Sequence, residues 1–183
     1  MGSLGACYQL PMVRGSPNPL HFGLPARLRR TRRARQITPS ALGPKVGLDR
    51  HVAAYIESGS RVPNVGTLTR LASVLGVAAG WLAYGLGDQF VSGAPSTVDG
   101  MGSRLAAIRT ERGETKAALA RAVGLSPSTV ADIESGAQTG VDVLESLAKV
   151  LGVSPAWLAF GEGAMVLPPR RRAAAVTQEP DHG

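Results

Sequence analysis

The sequence repeats itself, and this internal repeat constrains the fold more than any other feature. Ile56-Glu57-Ser58-Gly59 returns as Ile133-Glu134-Ser135-Gly136 at an offset of 77, and Arg32, Thr38, Leu42 and Val46-Gly47-Leu48 return at the same offset. One residue is then lost in a loop, and Trp81-Leu82-Ala83 returns at an offset of 76 as Trp157-Leu158-Ala159. A repeated unit of about 60 residues indicates two copies of one small domain, each just large enough to bury a core.

Within each copy, apolar residues recur at helical spacing between residues that begin or end helices. Thr115, Ser126 and Pro155 are suited to begin helices in the second copy, because hydroxyls accept from free N–H groups and proline fits a first turn. Thr38 and Asp49 are the matching starts in the first copy. Glycines are placed to end helices or to make the tight turn after the second helix: Gly47, Gly113, Gly124, Gly136 and Gly152. Five helices per copy, with a glycine turn between the second and third, form a helix-turn-helix.

The repeat divides the chain into two predicted domains, residues 22–87 and residues 101–163, with a linker at 88–100. The linker contains Gly, Pro and Ser, a composition typical of flexible connections. Residues 1–21 and 164–183 lack helical periodicity and are predicted to be disordered tails. The expected fold is therefore all-α, with two tandem five-helix domains.

The residues around the glycine turn resemble the Cro/phage-repressor-like (XRE-type) helix-turn-helix family. The second copy carries the pattern in this order: Gly124-Leu125, Val130, Ile133-Glu134, Gly136, Leu151-Gly152-Val153 and Trp157-Leu158. The resemblance covers residues 24–87 and 102–163. It implies lambda-repressor-like domains and a bacterial-type transcriptional regulator, expected to be a repressor, that binds a specific sequence of double-stranded DNA. Such a protein is expected in the cytoplasm, associated with the nucleoid.

The resemblance also implies which residues touch DNA, because the family docks its third helix in the major groove. In the first copy the base-reading positions carry Asp49, Arg50, His51 and Tyr55. Arg50 is suited to guanine, whose O6 and N7 accept from a guanidinium. The other DNA-binding candidates of this copy are Ser40, Lys45, Ser60, Arg61, Arg29 and Arg30. For the arginines of the first helix, a solvated helix face is an equally good interpretation.

The second copy is expected to bind DNA more weakly. At the base-reading positions it carries Pro127, which has no polar side chain, and Asp132, which would face a polyanion. Its candidates are Lys116, Ser126, Ser128 and Thr129. Residues 22–90 carry ten Lys/Arg and three Asp/Glu, a net charge of +7, whereas residues 101–163 carry six and seven, a net charge of −1. Because neutralising phosphates supplies much of DNA affinity, the first copy should dominate.

Some prominent residues are interpreted as structural. Arg32 with Glu57, and Arg109 with Glu134, resemble the ion pair found inside domains of the family, and such buried pairs hold a fold together. Trp81 and Trp157 stand beside leucines on the last helix of each copy, which predicts core positions.

Several function classes are not expected. Cys7 is the only cysteine, and the three histidines are far apart in sequence, so neither a metal site nor a cofactor is expected. No apolar run approaches the roughly 20 residues that span a bilayer, and the first residues do not resemble a signal peptide, so no membrane association is expected. An enzyme is not expected, because no catalytic arrangement or phosphate loop is apparent, and no small-molecule ligand is evident.

Two questions stay open at this level. The near-neutral second copy also suits a protein-interaction adaptor or an antitoxin-like partner, and salt-dependent affinity for duplex DNA separates this alternative from a regulator. For assembly, a homodimer is expected, matched to half-sites about 34 Å apart. The linker is also long enough for both copies of one chain to reach adjacent half-sites.

Overall fold

The structure is a computed structural model that describes residues 19–90 and 100–166. These residues form a 3-10 helix at Leu20–Gly23 followed by ten α-helices. The predicted tails at 1–18 and 167–183, and the linker residues 91–99, lie outside the described residues. Every helix in the described ranges is too short to cross a lipid bilayer.

Each copy of the repeat supplies five α-helices, so the predicted all-α class and helix count are confirmed. In the first copy they are α1 (Leu24–Ala34), α2 (Pro39–Lys45), α3 (Val52–Glu57), α4 (Val65–Leu75) and α5 (Ala79–Tyr84). In the second copy they are α6 (Met101–Glu111), α7 (Lys116–Val123), α8 (Pro127–Glu134), α9 (Val141–Val150) and α10 (Pro155–Phe160).

Most of the predicted helix starts are confirmed by capping hydrogen bonds. The Thr38, Thr115 and Ser126 side chains each accept from the backbone N–H three residues later, at the start of α2, α7 and α8. Pro155 is the first residue of α10, as predicted. The starts of these helices are therefore set largely by the local sequence.

The predicted start of the third helix at Asp49 is wrong. The Asp49 carboxylate accepts from the His51 N–H at 2.7 Å, and its carbonyl accepts from the Val52 N–H at 3.1 Å. These two bonds close a turn over residues 49–52, so α3 begins only at Val52. An aspartate that bonds to nearby backbone offers the chain an alternative to helix, whereas Pro127 in the second copy begins α8 directly.

The apolar residues of both copies form one continuous buried cluster. Its largest fully buried members are leucines and isoleucines from nearly every helix: Leu28, Leu42, Ile56, Leu68, Leu71, Leu75, Leu82, Leu105, Leu119, Ile133, Leu144 and Leu147. The cluster is continuous because α5 packs directly against α10. Trp81 and Trp157 are half-buried and pack against the cluster from its edge, whereas the sequence predicted core positions.

Ordered structure begins before the predicted domain start at residue 22. Leu20 and His21 belong to the 3-10 helix, and the His21 Nδ1 lies 2.6 Å from a carboxylate oxygen of Glu145 in α9. At the other end, the Met165 carbonyl accepts from the Ser154 N–H at 2.6 Å, although the sequence placed residue 165 in a tail. The Glu145 carboxylate thus holds the segment before residue 22, and the Ser154 backbone holds the segment around residue 165. The division into two domains remains a prediction.

The contact between His21 and Glu145 is expected to make stability depend on pH. Burial raises the pKa of the Glu145 carboxyl, but hydrogen bonds from the His21 side chain and from the N–H groups of Leu20 and His21 outweigh burial, and the pKa lies below its ordinary value of 4.5. A carboxyl with a lowered folded-state pKa stabilises the fold above its unfolded-state pKa, and this contribution is lost as the pH falls through the folded-state pKa.

Urea unfolding between about pH 6 and pH 3 measures this contribution. Near pH 6 the variant Glu145→Gln should have a lower free energy of unfolding than the wild type. This difference in free energy should shrink as the pH falls below 4.5. Glu111→Gln, at an exposed position, is the matched control and should follow the wild type throughout. A difference for Glu145→Gln that stays constant with pH would contradict the assignment.

Candidate nucleic-acid interface

The first copy holds α2 and α3 against each other across a tight turn. Gly47 in this turn has a φ of +68°, in the region that favours glycine. Gly43, buried within α2, faces the chain just before α3, and a Cβ there would lie 2.2 Å from the Asp49 carbonyl oxygen. A side chain at position 43 would therefore push α3 away from α2. The close approach fixes where the exposed side of α3 points.

Three polar side chains lie together at the start of α3, and we call them the α3 face: Arg50, His51 and Tyr55. All three are exposed, and Tyr55 keeps 51% of its surface accessible, an unusual fraction for a large aromatic residue. The Arg50 Nε donates to the His51 Nε2 at 2.9 Å, and the His51 and Tyr55 rings lie 6.2 Å apart. The face thus offers a guanidinium and an imidazole just before α3 and a phenol within it, and these are groups that can hydrogen-bond to base edges in the major groove.

The other first-copy candidates lie on either side of the α3 face. Ser40 and Lys45 are exposed on α2, and Ser60 and Arg61 are exposed in the loop after α3. The Ser60 hydroxyl donates to the Tyr55 carbonyl at 3.0 Å, so it also ends α3. Lys45 precedes the α3 face in the sequence and Arg61 follows it, and both are exposed positive charges.

The arginines of α1 divide between two roles. Arg27 is half-buried, and its guanidinium donates to the Leu82 and Ala83 carbonyls in α5; burial lowers its pKa. Arg29 donates to the Glu57 carbonyl at 2.8 Å and is thus engaged within the first copy, although the sequence placed it among the DNA-binding candidates. Arg30 is exposed on the helix surface. Arg29 and Arg30 are both exposed to solvent, but Arg29 is also engaged with Glu57.

An ion pair joins the first helix of each copy to the end of its third helix, and it is buried in the first copy and partly buried in the second. The Arg32 Nη2 donates to the Glu57 Oε2 at 2.8 Å, and the hydrogen bonds from Arg32 to Glu57 raise the pKa of the guanidinium. In the second copy the Arg109 Nε donates to the Glu134 Oε1 at 2.6 Å. Each arginine also donates to a backbone carbonyl at the start of the second helix, and these carbonyls belong to Ile37 and Glu114. The pairs fix the third helices on their scaffolds.

In the second copy, the candidate DNA-binding side chains have partners within the domain. The Lys116 ammonium lies 3.3 Å from a Glu134 carboxylate oxygen. Burial raises the pKa of the Glu134 carboxyl, but hydrogen bonds from Arg109 and Lys116 outweigh it and hold the pKa below its ordinary value. The Ser126 hydroxyl lies 2.8 Å from the hydroxyls of both Ser128 and Thr129. These groups are therefore partly satisfied within the domain.

Comparison with protein families decides the identity of both copies. A family profile described as "Helix-turn-helix domain" matches residues 24–80, and one described as "Helix-turn-helix" matches residues 105–158. Each copy is therefore a helix-turn-helix domain, and the chain carries two such domains. The two matches are in tandem, and each includes the two helices and the turn that give the family its name. Comparison with curated proteins and with solved structures finds no match.

In this helix-turn-helix protein, Lys45→Ala is expected to weaken binding to all duplexes by about the same factor. Lys45 is exposed at the end of α2 beside the turn. We expect its ammonium to contact a phosphate and not a base edge. Loss of one phosphate contact should reduce the slope of log affinity against log salt by about one. Lys149→Ala, which removes an exposed lysine from α9 of the second copy, is the control and should leave the slope unchanged. A change in base preference with Lys45→Ala would contradict this role.

Sequence reasoning missed the residues through which the two copies meet. The Gln138 side chain, in the loop after α8, accepts from the Gly66 N–H in α4 at 2.9 Å. Asn64 caps α4 and is bridged to Gly140 of the second copy. The signal available in the sequence was the repeat itself, since Asn64 and Gly140 are matching positions at the offset of 76.

Proposed function

We infer that this helix-turn-helix protein is a transcriptional regulator that binds a specific sequence of double-stranded DNA through the first copy. The observation that carries the inference is the α3 face, where Arg50, His51 and Tyr55 are exposed together at the start of the third helix. That face belongs to the copy with a net charge of +7. Positive charge supplies affinity for the phosphates, and the side chains of α3 supply discrimination between bases.

Repression is the regulatory outcome that we propose. A protein that occupies a promoter blocks transcription by its presence, and this requires only tight, specific binding. The proposed activity is binding without catalysis, and the proposed place of action is the DNA of the nucleoid. The homodimer expected from the sequence and a single chain that reaches both half-sites are alternative assemblies, and the mass of the free chain in solution separates them.

Selection from a random duplex library tests the proposed function. The full chain should enrich one sequence motif, and log affinity for that motif should fall linearly with log salt. A counter-selection with single-stranded RNA of matched length should enrich nothing. A library that shows no enrichment at low salt would overturn the proposal.

A protein-binding adaptor or antitoxin-like role is the second candidate function. It is favoured by the second copy, whose net charge is −1 and whose third helix exposes Asp132. Under this alternative the chain would bind random duplexes weakly, without sequence preference. The same selection therefore separates the two functions.

A further inference from the structure

The two copies contact each other through positions that correspond in the repeat. Asn64 and Gly140 correspond at the offset of 76, and they form an antiparallel bridge with each other. Two reciprocal backbone hydrogen bonds flank the bridge, namely Val65 N–H to the Thr139 carbonyl (3.0 Å) and Val141 N–H to the Pro63 carbonyl (3.2 Å). Val65 thus contacts the counterpart of Pro63, and Pro63 contacts the counterpart of Val65. A contact that is reciprocal in this way has two-fold symmetry.

The same relation holds where α5 packs against α10. Gly80 corresponds to Ala156, and a Cβ at Gly80 would lie 2.7 Å from the Ala156 Cβ. Tyr84 corresponds to Phe160, and their buried rings lie 6.3 Å apart. A pseudo-two-fold axis therefore passes between α5 and α10 and through the bridge. The two copies form an internal dimer within one chain.

Steric fit at this contact disfavours the pairing of two second copies. Ala156 fits because its counterpart is a glycine. If two second copies met in the same way, the two Ala156 Cβ atoms would approach to about the 2.7 Å measured at Gly80, closer than Cβ atoms come in proteins. Pairing of like second copies is therefore disfavoured by a clash, which is one way in which interfaces reject wrong partners.

Polar contacts across the axis also depend on unlike copies. The Glu162 carboxylate accepts from the first two N–H groups of α5, those of Ala79 at 3.1 Å and Gly80 at 2.7 Å. The position in the first copy that corresponds to Glu162 is Leu86, which cannot accept a hydrogen bond. Two first copies paired in this way would leave both α5 N-termini without this carboxylate.

Two further contacts are made in one direction only. The buried Tyr84 hydroxyl donates to the Val141 carbonyl at 2.9 Å, whereas Phe160, its counterpart, has no hydroxyl. His21 ahead of α1 contacts Glu145 in α9 at 2.6 Å. Together with the Glu162 carboxylate, these contacts stabilise the pairing of a first copy with a second copy.

The pseudo-two-fold axis places the third helices of both copies on either side of it. The loops that follow α3 and α8 run directly into the bridge between Asn64 and Gly140. The two third helices are therefore related to each other by this axis. The residues presented are unequal, because Arg50 and Tyr55 correspond to Pro127 and Asp132.

We propose that a single chain is a complete two-headed DNA reader, which binds one non-palindromic operator of two unequal half-sites. The strong half-site lies under α3, and the weak half-site lies under α8, where Ser128 and Asp132 are exposed. A carboxylate in the major groove accepts from the cytosine amino group, so Asp132 favours cytosine in the weak half-site. This inference rests on the proposed function and adds stoichiometry and operator symmetry to it.

The mass of the complex between the full chain and its selected duplex tests this inference. We expect one chain per duplex and a selected motif without two-fold symmetry. A single mismatched base pair lowers specific affinity by roughly 5- to 150-fold. Scrambling the strong half-site should therefore lower affinity by more than about 100-fold, whereas scrambling the weak half-site should lower it by about tenfold. Two chains on a palindromic motif would overturn the inference and leave the proposed function standing. A library with no enriched motif would overturn both.

Interface variants separate the internal dimer from two independent domains. Gly80→Val should clash with Ala156, and the milder Glu162→Ala removes only the carboxylate that caps α5. Both variants should keep the preference for the strong half-site. Scrambling the weak half-site should lower their affinity by no more than about fivefold, instead of the roughly tenfold expected for the wild type. Glu114→Ala, an exposed acidic residue away from α5 and α10, is the matched control. Full dependence on the weak half-site in folded Gly80→Val and Glu162→Ala chains would overturn the inference.

Discussion

Replacing Glu57 by alanine is expected to lower the free energy of unfolding by about 3–5 kcal/mol. Arg32 is 6% exposed and Glu57 is 7% exposed, and two hydrogen bonds join the guanidinium to the carboxylate. The alanine variant leaves the guanidinium buried without its negative partner, and that uncompensated charge is the source of the large loss. Urea denaturation at neutral pH, with the midpoint and slope fitted together, measures the change.

Two controls show whether the loss arises from the pair. Glu114→Ala removes an exposed carboxylate and should change the free energy of unfolding by less than about 0.5 kcal/mol. The double variant Arg32→Met with Glu57→Leu should recover most of the loss, because apolar residues of similar size can replace a buried ion pair. A loss below about 1 kcal/mol for Glu57→Ala would show that Arg32 finds other partners.

Arg50→Ala is expected to weaken operator binding by about 1–3 kcal/mol and to relax the preference at a single base pair. The exposed guanidinium stands at the start of α3, within the α3 face, and a bidentate contact with guanine is lost when it is removed. Equilibrium binding to the selected operator, and to its three single-base-pair variants at each position, measures both effects.

Arg30→Ala is the matched control for Arg50→Ala. Arg30 is an exposed arginine on α1, outside the α3 face, so its removal should leave base preference unchanged. Ser128→Ala, at the position of α8 that corresponds to His51, should have a small effect. If Arg50→Ala weakens all sequences equally while Arg30→Ala changes the preference, α3 is not the recognition helix.

Much of the fold could be predicted because helix starts and ends in this chain are encoded locally. Thr38, Thr115 and Ser126 cap the helices that their sequence positions indicated, since each needs only the backbone three residues ahead. Asp49 shows the limit of such reasoning. The same side chain can cap a helix or close a turn, and the packing of Gly43 against the Asp49 carbonyl accompanies the turn.

The site could be predicted less completely, because its partners are distant in sequence. Position alone made Lys116 a DNA-binding candidate, whereas in the fold its ammonium lies beside Glu134. Gly80 and Ala156 are small residues that carry no signal of their own, and only the fold shows that they face each other. Local patterns determine helices, but they do not specify which helix surfaces meet.

The ratio of two dissociation constants tests the central claim most directly. The full chain is titrated with its selected operator and with a scrambled duplex of the same length and composition, at one near-physiological salt concentration. A sequence-specific regulator should prefer the operator by at least about 1,000-fold. A ratio near one would show that the positive charge of the first copy holds DNA without reading it, and would contradict the assignment of α3 as a recognition helix.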